Sequence, residues 1–404
     1  MKLSGFVLFL LLITQINFGQ ASLSAKQTST GEILPGANQL SQYLPLLKGK
    51  SVAVFANQTS IVANSHLVDT LIKRGVNIRK IFSPEHGFRG TADAGEQVAN
   101  LVDPSTGIPI ISLYGNAVKP TSADLKDIDI MIFDVQDVGV RFYTYISSLE
   151  KYMEAALENN KMMMVLDRPN PNGFYVDGPI LDTGFKSFVG MQAVPVVYGM
   201  TIGEYAKMLV GEKLIRDPKN NIKTFKLIVI PNKNYSHKSR YQLPVRPSPN
   251  LPNMQSVYLY PSICFFEGTA VSLGRGTDKP FQQFGHPSFP ANLYSFTPRS
   301  TEGAKSPPLM NQVCYGFDLS ELNIAGPEYQ LIQLKWLLQA YALFGDKSKF
   351  FLTSNYIDKL AGSDALAKQI KAGKTEAEIK ASWEPGLRQF KKIRKKYLLY
   401  TDFE

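Results

Sequence analysis

From residue 51 onward, short unbroken apolar runs alternate with segments whose apolar positions recur every three or four residues. Residues 51–56 predict a strand, and 66–74 a helix that Gly75 can end. Further strands are predicted at 78–82 and 110–113. Residues 128–133, apolar and β-branched apart from Asp129, form a run of the kind buried on both faces of a sheet. Residues 145–159 predict an amphipathic helix, and 162–166 another buried strand. Thr201-Ile202-Gly203-Glu204 is a capping box opening a helix that continues through Leu209. Strands in alternation with helices specify an α/β fold, a Rossmann-like doubly wound sheet with mostly parallel strands.

This pattern stops at proline. Residues 244–252 carry four prolines, at Pro244, Pro247, Pro249 and Pro252, and cannot lie inside regular elements. Residues 257–298 are then rich in Gly, Phe, Tyr and Pro, and the last hundred residues are mainly helical in pattern. Helices are expected at 327–344, 363–373, 375–383 and 384–397. A chain of 404 residues suits more than one core. The expected division is a leader at 1–21, an N-terminal domain at 36–253 and a C-terminal domain at 256–404.

The leader has one basic residue, Lys2, an apolar run from Phe6 to Ile13, and small residues at Gly19, Ala21 and Ala25. It reads as a secretory signal, short for a membrane span and without a following cysteine for lipidation. The expected location is therefore outside the cytoplasm, in the periplasm or the medium. Apolar residues make up 44% and charged residues 19%, which excludes a disordered chain. The net charge of +10 suits an acidic partner. Much of it lies at 388–396, where Leu387, Phe390, Ile393 and Tyr397 recur at helical spacing and make the basic residues a solvated helix face. No nucleic-acid-binding motif accompanies it. Cys264 and Cys314 could pair in an oxidising compartment or remain two buried thiols. The four histidines and two cysteines show no metal-ligand spacing, so no metal is expected. There is no G-x-G-x-x-G after the first strand and no Walker loop, so no cofactor is expected either.

In open parallel sheets, ligands bind at the carboxyl ends of the strands. The predicted first strand ends in Asn57, the second runs into Glu85, the fourth into Asp134, and the fifth into Asp167-Arg168. Each could instead cap a turn. Glu85 sits in Ser83-Pro84-Glu85-His86-Gly87, a rigid turn with His86 and Arg89 close by, a grouping suited to general acid-base work. After the fourth strand come Asp134, Gln136, Asp137, Arg141 and Tyr143, able to hydrogen-bond sugar hydroxyls or an anion. The blander alternative makes Asp134 a helix cap paired with Arg141. Glu267 and Arg275 lie among small residues, as if the backbone must approach a ligand. Arg275 could take a carboxylate, or simply pair with Glu267.

These motifs, with Tyr114-Gly115, the run from Phe133 to Tyr145, Asp167-Arg168-Pro169-Asn170-Pro171, Pro247-Ser248-Pro249-Asn250, Phe266-Glu267-Gly268-Thr269, Gly274-Arg275-Gly276-Thr277 and the stretch around Trp383 and Tyr397, resemble the exo-β-N-acetylmuramidases. That family of glycoside hydrolases was long a bacterial domain family of unknown function. The resemblance covers nearly all of the chain after about residue 36. It implies a Rossmann-like domain followed by a smaller α+β domain, with the active site in the cleft between them. It also implies release of terminal N-acetylmuramic acid from the non-reducing ends of peptidoglycan fragments. Glu85 is carried over as catalytic and Glu267 as its partner, one protonating the leaving oxygen and the other acting at the anomeric carbon. Substrate assistance by the 2-acetamido group is the alternative for the second role. Arg141, Arg168 or Arg275 would hold the lactyl carboxylate. A non-catalytic envelope protein that binds muropeptides is the competing reading. A hydrolase of another bond type is disfavoured by the missing metal and nucleophile signals.

Overall fold

The computed structural model describes residues 31–85, 87–88, 101–115, 117–216, 225–324, 326 and 329–404; the leader, His86 and Arg89 lie outside them. The strands are β1 (Ser51–Ala56), β2 (Ile61–Val62), β3 (Ser65–His66), β4 (Asn77–Ser83), β5 (Leu101–Val102), β6 (Pro109–Ser112), β7 (Ile130–Asp134), β8 (Met162–Leu166), β9 (Leu227–Ile230), β10 (Gln283–His286), β11 (Tyr294–Phe296) and β12 (Cys314–Asp318). The helices are α1 (Leu40–Leu47), α2 (Leu67–Lys73), α3 (Ser122–Leu125), α4 (Tyr145–Glu158), α5 (Ile202–Gly211), α6 (Met254–Ile263), α7 (Lys335–Leu343), α8 (Tyr356–Ala361), α9 (Ala365–Lys371) and α10 (Glu376–Arg394).

Seven strands form the large sheet in the order β5-β6-β4-β1-β7-β8-β9, all parallel except the edge pair β5–β6. The six parallel strands, counted along the chain, lie in the order 3-2-1-4-5-6, the dinucleotide-fold arrangement whose direction reverses between β1 and β7. Continuous apolar runs suit these strands because both faces are covered. Ala53, Phe55, Met131, Phe133, Met163 and Val165 point into a core shared with α4, α5 and the C-terminal half. Val52, Val54, Ile130, Ile132, Met164 and Leu166 point into a second core closed by α1 and α2.

A smaller antiparallel sheet, β10-β12-β11, and helices α6 to α10 follow. Residues from Ile33 to Glu404 form one compact unit. Three details differ from expectation. The helix expected at 327–344 is α7 alone. The amides of Ile332, Gln333 and Leu334 donate to Asp177 Oδ2, Ser262 Oγ and Glu376 Oε1, which holds that stretch out of a helix. The two helices expected at 375–397 are the single α10, running through Pro385 on a buried stripe of Ile379, Trp383, Leu387 and Phe390. The stripe outweighs the one backbone bond that proline removes. Strand β9 was not expected. The Thr201 capping box is present, with Thr201 Oγ1 and Glu204 each bonding the other's backbone amide. On α10, Arg388 and Lys392 are solvated, whereas Arg394 is buried and pairs with Asp402 at 2.7 Å.

Candidate active site

Glu85 follows β4 in a turn closed by the Gly87 amide donating to the Pro84 carbonyl at 3.0 Å, with Gly87 at φ 74°. The turn points it into a cleft of about 510 Å³. Tyr114 follows β6 and hydrogen-bonds the Glu85 carboxylate; burial, then the Glu85 charge, pushes its phenol pKa well up. Tyr143 and Tyr145 come off the carboxyl end of β7, their rings 4.7 Å apart edge to face. The Asn57 amide donates to the Tyr145 hydroxyl at 2.9 Å, and the Tyr143 hydroxyl donates to the Pro247 carbonyl at 2.7 Å. These bonds fix both rings, so this wall is preorganised.

The opposite wall comes from the C-terminal half. Glu267 lies in a single 3-10 turn after α6 and pairs with Arg275 at 2.7 Å. The guanidinium sits 4.9 Å from the centre of the Phe281 ring. Tyr260, Lys305 and Tyr356 also line the cleft. Tyr356, its pKa pushed up by burial first, also feels both Glu267 and Glu85, as Tyr114 does. Two carboxylates from opposite halves therefore face one space and share two phenols.

The glycines beside Glu267 and Arg275 do not hold the backbone against a ligand space. A Cβ on Gly268 would lie 2.6 Å from the Ile357 backbone, and one on Gly274 2.7 Å from the Lys279 carbonyl. They permit internal packing instead, and the Gly268 contact seats α8 so that Tyr356 reaches the cleft.

Of the polar residues expected at the sheet edge, most are occupied within the protein. Asp134 and Arg168 form a buried two-bond ion pair at 2.6 and 2.8 Å, so Arg168, not Arg141, is the partner of Asp134. Arg141 is fully buried and donates to the carbonyls of Pro179, Val194 and Leu360; burial lowers its pKa to about 9. Gln136 donates to the carbonyls of Asp137 and Pro169. Asp137 accepts from the Gly139 amide and the Tyr198 hydroxyl, and burial raises its pKa to about 6. Asp167 accepts from Thr201, the Gly203 amide and Tyr400, and burial raises its pKa to about 7. Asn57 is buried and acts through Tyr145. Glu85, Glu267, Tyr143 and Arg275 line the cleft; Tyr114, Tyr145, Tyr260, Lys305 and Tyr356 line it too and had not been singled out. Tyr114 and Tyr145 stood inside the family-like motifs, whereas Tyr356 carries no local signal.

Among the described residues, no group of three or more His, Cys, Asp or Glu side chains could hold a metal ion. Cys264 and Cys314 are both buried and free.

Comparison with known proteins finds similar chains. The N-terminal part of the family described as exo-beta-N-acetylmuramidase NamZ matches residues 52–255, and its C-terminal part matches 258–400. The chain is 37% identical over 394 residues to a protein of Bacillus subtilis (strain 168) named peptidoglycan beta-N-acetylmuramidase NamZ, covering 93% of this chain and 91% of the relative. Two crystal structures of DUF1343 family proteins from Bacteroides fragilis are similar. One has a TM-score of 0.84 and 47% identity, covering 92% of this chain and 99% of that one. The other has a TM-score of 0.76 and 30% identity, covering 91% and 99%.

Proposed function

The chain belongs to the exo-β-N-acetylmuramidase NamZ family and is a glycosidase, and on that premise we propose that it releases terminal N-acetylmuramic acid from the non-reducing ends of peptidoglycan fragments. The setting is turnover or recycling of the cell wall, outside the cytoplasm. The observation that carries the reading is the pair Glu85 and Glu267, set on opposite walls of one cleft with Tyr114 and Tyr356 near both.

In this proposal Glu85 is the general acid. Its proton goes to the glycosidic oxygen as the bond to the anomeric carbon breaks, and that oxygen keeps the bonding electron pair. Glu267, aligned by its ion pair with Arg275, acts at the anomeric carbon, either as base to the water that bonds there or as a nucleophile that water later displaces; alternatively it orients the 2-acetamido group, whose oxygen bonds there before water replaces it. Tyrosine faces give the sugar ring a surface to lie on. Of the three arginines expected to meet the lactyl carboxylate, Arg141 and Arg168 are committed to the fold, which leaves Arg275.

The test compares two substrates. Glu85→Gln should lower kcat about 10²–10⁴-fold on a muramic acid–glucosamine disaccharide, whose leaving group needs a proton. It should lose far less on a 4-nitrophenyl N-acetylmuramide, whose leaving group does not. Equal losses on both would remove Glu85 from the acid role. No release of sugar by the wild type from either would leave a protein that only binds muropeptides.

A further inference from the structure

A second pocket of about 580 Å³ lies beside the cleft, on the other side of the segment 186–192. Val189 of that segment lines the cleft, while Lys186, Phe188, Met191 and Gln192 line this pocket. Its inner wall is Glu150 of α4, 3% exposed. Glu150 Oε1 accepts from Gln192 Nε2 at 2.6 Å, but Oε2 is buried with no hydrogen-bond partner among the described residues. A buried carboxylate oxygen in that state is costly unless something meets it. At the mouth, Lys151 is taken by Glu154 at 2.9 Å. Lys186 and Arg216 are exposed there, and neither forms an ion pair among the described residues.

The pocket thus presents one anionic acceptor inside, two cations at the rim, and Phe188 and Met191 between them. We propose that it binds a small ligand carrying both an ammonium and a carboxylate, a free amino acid or a dipeptide. The ammonium donates to Glu150 Oε2, the carboxylate meets Lys186 and Arg216, and an apolar side chain lies on Phe188 and Met191. Burial holds the Glu150 carboxyl up at about 7, so an arriving ammonium, which favours the ionised form, displaces a proton near neutral pH. This inference does not depend on the hydrolase reading.

Titration calorimetry of the full chain with leucine tests it, alongside N-acetyl-leucine, leucinamide and leucyl-leucine. Leucine should bind saturably and release protons at pH 7, seen as heats that change with the ionisation enthalpy of the buffer. N-acetylation, amidation and Glu150→Gln should each weaken binding about tenfold or more. Lys186→Met, at an exposed site that does not threaten folding, should do the same. Tighter binding of leucyl-leucine would assign the site to dipeptides, and tighter binding of leucine to free amino acids. Absence of saturable binding by both, or binding indifferent to the blocked ends and to Lys186→Met, would overturn the proposal.

Discussion

Replacing Arg168 by Met separates a structural role from a substrate-binding one. Arg168 is 3% exposed and Asp134 is fully buried; their two bonds, at 2.6 and 2.8 Å, are the only hydrogen bonds of the Asp134 side chain among the described residues. Methionine fills much of the same volume but leaves a carboxylate in the interior without a cation. Removing one member of a buried pair costs about 3–5 kcal/mol, because the charge left behind is uncompensated. Urea denaturation at pH 7, followed by circular dichroism, reads the loss directly. The doubly apolar variant Asp134→Leu with Arg168→Met should regain most of the loss, since neither charge is then buried alone. If Arg168→Met loses under about 1 kcal/mol at pH 7 while KM for a muramic acid substrate rises, Arg168 serves the ligand and the structural reasoning fails.

Other consequences are as direct. Tyr114→Phe removes a donor to the Glu85 carboxylate, so kcat should fall about tenfold and the pH profile of kcat/KM should move upward by up to about one unit; an unmoved profile would reduce Tyr114 to packing. Asp167 has its pKa raised to about 7 in the folded protein, so the fold binds more protons than the unfolded chain between about pH 4 and 7. Stability should fall as pH rises through that window, and Asp167→Asn should flatten the slope measured by urea denaturation at pH 5 and 7. Gly268→Ala should cost about 1–3 kcal/mol and lower kcat, because the new methyl meets the Ile357 backbone and displaces Tyr356; thermal unfolding and activity read the two effects separately.

What the sequence makes legible is whatever local pattern decides. The buried strands show because both faces of each must be apolar, and β8 matches its expected bounds, 162–166. The Thr201 capping box shows because its bonds span three residues. Glu85 shows because proline and glycine hold its turn. The convergence of Asn57, Asp134 and Asp167 on one edge of the sheet also shows, but not what each does there. A carboxylate that meets a ligand and one that braces a loop are the same residue at the same strand end. What distinguishes them is the partner, and the partner is remote in the chain: Arg168 lies 34 residues from Asp134, and Tyr400 lies 233 from Asp167. Arg141 is the sharpest instance. Its charge suggested an anion, yet it finds three backbone carbonyls, one of them 219 residues away. Tyr356 is the converse, a cleft residue with no motif of its own, placed only because Gly268 lets α8 come close. Polar residues along the carboxyl edge of such a sheet therefore hold the cleft open and rigid as much as they line it, and the residues that face a ligand are those whose bonds leave a functional group turned inward.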